Sequence, residues 1–145
     1  MAQIQKIPAG FRKLYSFMLV FTTTTLLLMA HNELIVKTSE AVVVHKEYYR
    51  INSITTLAAL SILYLVPGFL LFYFLLWLFR DRKTGKGFIY LLGIVSCLVP
   101  LIGLAFATYG FDLHDPFLPV ELVVFTISGM IIAFLENRYL AKLAG

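Results

Sequence analysis

Five residues of this sequence carry side chains that could do chemistry together: His31, Asp112, His114, Asp115 and Glu121. Imidazole nitrogens and carboxylate oxygens bind zinc, copper and other divalent ions, and histidine exchanges protons near neutral pH. The candidate metal ligands are His31, His114, Asp115 and Glu121. Their spacing argues against that reading, because they come from separate segments and form no HxxxH or HExxH pair on one helix face. Glu121 also has a plainer role. Pro119 fits a first helical position, and an acid two residues on complements the positive end of the helix. Acids inside a membrane are otherwise functional by default, which keeps Glu121 among the candidates.

Other chemistries lack their residues. Cys97 is the single cysteine, so neither an intrachain disulfide nor a CxxC metal site can form. No histidine falls in the middle of an apolar run, which disfavours haem held between two histidines. No such run has a central Asp, Glu, Lys or Arg, the usual mark of ion-coupled transport. No GxSxG nucleophile motif occurs. Gly85-Lys86-Gly87 lacks the GxxxxGK[ST] spacing and the preceding strand of a phosphate loop. No cofactor is expected.

The elements that must position these residues follow from composition. Hydrophobic residues make up 60% of the chain and charged residues 14%, against roughly 45–50% and about 25% in soluble domains. A chain this short leaves much of its surface exposed after folding, so lipid must cover part of it. Residues 14–30, 51–79, 88–109 and 119–135 are apolar runs close to or beyond the roughly 20 residues that cross a bilayer. They are continuously apolar rather than alternating, which selects helices over barrel strands. The expected fold is a single all-α domain of four transmembrane helices. Leu28-Met29-Ala30 is a poor small-x-small cleavage site, so the first run reads as a retained anchor.

Orientation follows from the basic residues. Lys6, Arg12, Lys13, Arg80, Arg82, Lys83, Lys86, Arg138 and Lys142 fall on one side of the alternating spans; only Lys37, Lys46 and Arg50 fall on the other. Both chain ends are therefore expected in the cytoplasm, with all three histidines outside. A bacterial inner membrane is the expected location. The basic turn at 80–87 reads as a topology determinant that touches anionic lipid. It is too short to argue for nucleic acid.

Local patterns fill in the rest. Two β-branched stretches, Leu34-Ile-Val36 and Ala41-Val-Val-Val44, flank a polar turn and predict a β-hairpin in the first outer connector. Residues 1–13 read as an interfacial lead-in interrupted at Pro8-Ala-Gly10. Pro67 and Pro100 predict kinks within the second and third spans. Small residues let helix backbones approach in lipid. Gly68, Gly93, Ser96, Pro100, Gly103 and Gly129 are the expected helix-packing positions, with tight packing between the second and third spans. Thr22 to Thr25 can each bond back to a carbonyl one turn earlier.

These features favour a non-catalytic integral membrane subunit or assembly factor, with lipid and other membrane proteins as its partners. A small oligomeric transporter or channel is the first alternative. A membrane metal-binding protein or enzyme built on the His/Asp/Glu set is the second.

Overall fold

The computed structural model of the chain describes residues 8–38, 46–79, 85–109 and 118–144. Four helices account for nearly all of them: α1 (Ala9–Thr38), α2 (Lys46–Leu78), α3 (Lys86–Tyr109) and α4 (Leu118–Ala144). Each packs on its chain neighbour except that α1 closes the ring by packing on α4 as well as α2. Pairings along the bundle show alternating direction. Phe17 meets Phe69 and Thr24 meets Ser128, while Phe79 meets Phe88 and Asn137 reaches Lys86. One end of the bundle, the basic end, therefore holds the start of α1, the end of α2, the start of α3 and the end of α4.

The helices outrun the apolar stretches that predict them, because backbone hydrogen bonding continues past the last oily residue. Pro8 lacks an N–H and begins α1 instead of breaking it, its carbonyl accepting from the amides of Phe11 and Arg12. At its other end α1 runs on to Thr38, so Leu34, Ile35 and Val36 are helical. The first strand of the expected hairpin does not exist, and residues 39–45 lie outside the described residues. The physical reason is cooperativity. Adding a residue to an existing helix gains a hydrogen bond at little cost, whereas β propensity is weak without a neighbouring strand to pair with. Among the described residues there is no strand. The helices α2 and α3 run through Pro67 and Pro100 without a break in assignment.

Four helical stretches are long and apolar enough to cross a membrane: Ala9–Glu33, Thr55–Leu78, Lys86–Leu104 and Pro119–Leu140. Only 17% to 33% of each stretch's apolar window is buried inside the bundle. The remainder faces outward, with Leu26, Leu70, Phe74, Phe106 and Val123 among the exposed side chains. Such a surface is stable only against another apolar phase. This is the architecture of an integral multi-pass membrane protein.

Inside, aromatic and branched side chains interlock. Phe72, Phe125, Leu65, Leu101 and Ile132 are fully buried. Tyr64 meets Phe125 edge to face with ring centroids 5.5 Å apart, and Phe17 meets Phe69 the same way at 5.1 Å. Among the described glycines, the closest backbone approach is between α3 and α4. A Cβ on Gly93 would collide with the Gly129 carbonyl oxygen, and one on Gly129 would lie 2.5 Å from the Gly93 oxygen. Two facing glycines allow this, because neither helix presents a side chain. Gly68 makes the looser α2–α3 contact, where a Cβ would lie 3.1 Å from the Ser96 carbonyl oxygen.

Ser96 is fully buried and Pro100 half-buried, whereas Gly103 is exposed with open space where its Cβ would be. Among the described residues, nothing packs where a Gly103 Cβ would be. The small-residue stripe turns away from the neighbouring helices as α3 leaves the crossing.

Several hydroxyls satisfy one another or their own helix. Thr22 and Thr23 donate to the carbonyls of Met18 and Leu19 at 2.8 and 2.9 Å. Thr24 instead lies 2.6 Å from Ser128 across the α1–α4 interface. Ser128 Oγ–H donates to the Val124 carbonyl at 2.8 Å. A hydroxyl has one proton, so Thr24 is the donor in the interhelical bond.

Candidate functional site

The sequence-selected metal set is only partly within the described residues. His31 lies near the end of α1 and Glu121 in the first turn of α4, both at the end of the bundle opposite the basic one. His114, Asp115 and Asp112 lie outside the described residues. Among the described residues, no group of three or more His, Cys, Asp or Glu could hold a metal ion.

The basic end gathers a different set. In α1, Arg12 and Lys13 are consecutive, so their side chains leave the helix about 100° apart and reach different neighbours. The Arg12 guanidinium lies over the Tyr139 ring of α4, with its central carbon 3.5 Å from the centroid. Lys13 Nζ lies 4.3 Å from the centroid of the Tyr73 ring of α2. Each such cation–π contact contributes roughly 0.5–1 kcal/mol when exposed, and about 2 when water is excluded. The Tyr73 hydroxyl donates to Glu136 Oε2 at 3.3 Å, a long contact that links α2 to α4. Asn137 Nδ2 donates to the Lys86 carbonyl at 3.4 Å and links α4 to α3.

Side chains of α1 and α4 line a common opening at this end. Between the helices lies a cleft of about 440 Å³, lined by residues that include Phe11, Arg12, Lys13, Tyr73, Glu136, Arg138 and Tyr139. Its charges do not balance. Among the described residues, Arg12, Lys13 and Arg138 share the lining with a single acid, Glu136. Arg12 Nε is buried and has no hydrogen-bond partner among the described residues. A buried donor left without an acceptor costs about 1–3 kcal/mol. The Thr25 and Ser96 hydroxyls are orphaned in the same sense, but neither residue lines the cleft.

Counting basic residues assigns Arg12, Lys13 and Arg138 to topology and leaves Tyr73 and Tyr139 unremarked. One signal for the site was present in the sequence. Glu136 ends a long apolar run, and Tyr73 sits in the middle of another with a polar tip that needs a partner when buried. Nothing in the sequence joins the two, which are far apart in the chain and on helices that face each other diagonally.

The fold and this end of the bundle define a class: a four-helix multi-pass membrane protein with a cationic, aromatic-lined cleft at one end. No family model matches the chain, and neither the curated proteins nor the solved structures compared with it provide a match.

Proposed function

We propose that the protein is a non-catalytic integral membrane subunit or accessory factor, with both ends in the cytoplasm of a bacterial inner-membrane system, that packs against larger membrane partners. The observation that supports this reading is the closed middle of the bundle. At mid-height the glycine crossing of α3 on α4 leaves no room for a side chain. Thr24, Ser61 and Ser128 there spend their hydrogen bonds on each other or on their own helices, and the buried Ser96 hydroxyl has no partner among the described residues. A bundle sealed in this way offers its outer surface to other molecules. In lipid, apolar helix surfaces associate through packing and not through the hydrophobic effect.

Purification of the full chain in mild detergent tests the reading. Stoichiometric co-purification with a defined membrane complex supports it, and a stable isolated homo-oligomer favours a transport role instead. Reporter fusions at residues 84 and 145 test the orientation separately. Both should report the cytoplasm, and opposite sides would overturn it.

A further inference from the structure

We propose that the cleft between α1 and α4 at the basic end binds the phosphate group of an anionic phospholipid. This requires membrane insertion but not the subunit reading. The argument begins with Arg12. Tyr139 covers one face of its guanidinium, leaving the in-plane donors to find an acceptor. The buried Nε has none among the described residues. The guanidinium lines the cleft, and phosphate oxygens suit it because it presents its donors as a planar fork matched to phosphate geometry. Lys13 and Arg138 line the same cleft and add charge of the same sign. Glu136, the one acid in the lining among the described residues, already accepts the Tyr73 hydroxyl.

Position selects a lipid phosphate over a free one. Arg12 lies in the opening turn of the Ala9–Glu33 stretch that can cross the membrane, and Arg138 lies near the end of the Pro119–Leu140 stretch. A phosphate between them sits at headgroup depth. Phe11 and Tyr15 line the cleft and are 66% and 63% exposed, so the site opens sideways through apolar side chains. Leu14 and Met18 continue that exposed surface along α1, where acyl chains would run. Basic pockets between spanning helices are a recurrent way of holding anionic headgroups.

The test uses the full chain in detergent, stripped of lipid, with phosphatidylglycerol, phosphatidylcholine or inorganic phosphate added separately. Native mass spectrometry reads retention and thermal unfolding reads stabilisation. Phosphatidylglycerol should be retained and should raise the unfolding temperature; phosphatidylcholine and inorganic phosphate should do neither. Arg12→Gln and Arg138→Gln should each weaken phosphatidylglycerol binding about tenfold. Arg138 is exposed, so its variant decides the matter if Arg12→Gln folds poorly. Lys86 is exposed at the same end but outside the cleft, and Lys86→Gln should change binding by less than about twofold.

Equal retention of the two lipids, or unchanged binding in Arg138→Gln, overturns the proposal. So does an equal loss in Lys86→Gln, which would show diffuse surface charge. Stabilisation by inorganic phosphate as large as that by lipid would replace the lipid with a free anion. Absence of a co-purifying partner would leave a positive lipid result standing, so the two readings fail separately.

Discussion

Helix α4 meets α3 at Gly129 and meets α1 at Arg138 and Tyr139, and the two interfaces are built on opposite principles. At Gly129 the side chains are missing, the backbones touch, and nothing else can enter. Ten residues further on, the side chains are large and cationic or aromatic, and a cleft opens with a buried donor unpaired. The contrast shows how side-chain volume, together with the rotation of each helix, decides where a bundle of continuous helices is sealed and where it is open.

Substitutions in the sealed region should cost the most. Gly129→Ala places a methyl group against the Gly93 backbone, which cannot move as a flexible side-chain tip can. A loss of about 2–3 kcal/mol is expected, read as a lowered midpoint in denaturant or thermal unfolding of the detergent-solubilised protein. An unchanged midpoint would mean that α3 and α4 do not cross at this point.

The hydroxyl pair comes next. Thr24→Val and Ser128→Ala should each destabilise by about 1 kcal/mol. A double-mutant cycle between them should give a coupling near 0.6 kcal/mol, the usual size for hydrogen bonds between helices in lipid. Zero coupling would place α1 away from α4.

The open end should respond less. Tyr73→Phe keeps the ring beneath Lys13 and removes only the long hydrogen bond to Glu136, so about 0.5 kcal/mol or less is expected by the same unfolding measurement. A loss above 2 kcal/mol would show that the Tyr73–Glu136 link is as tightly built as the glycine crossing, and the contrast between the two regions would collapse.

Gly103→Ala is the smallest effect and the control for Gly129→Ala. With open space at its Cβ position, the alanine should leave stability unchanged or raise it by up to about 1 kcal/mol through helix propensity. Marked destabilisation in an otherwise isolated bundle would show that this face of α3 is packed in a way the single chain does not display. A defect seen only in the presence of a co-purifying complex would instead map the partner to that face.

Much of the architecture could be read directly from residue order. Continuous apolar runs mark helices wherever they occur, and their lengths match a bilayer without any knowledge of how they pack. The hairpin expectation at residues 34–44 went wrong for a local reason. Leu34-Ile-Val36 has strand-forming side chains, but it follows directly on a helix already formed, and the cheapest conformation for the next residue is another helical turn. Among the small residues, composition could not separate Gly93 and Gly129 from Gly103. All three are glycines on apolar helices, and only the rotation of each helix about its axis puts two of them against a neighbouring backbone.

The cleft was the least legible feature. Arg12, Tyr73, Glu136 and Tyr139 come from three helices, and each has an ordinary explanation where it stands in the chain.

Hydropathy along the chain was enough to establish that this protein inserts four helices, because the transfer of a segment from water to lipid depends on that segment's own side chains. Which glycines touch, which hydroxyls pair and which cations share a cleft depended on how the helices are rotated and spaced. Those quantities come from the simultaneous fit of all four helices, and no single segment contains them.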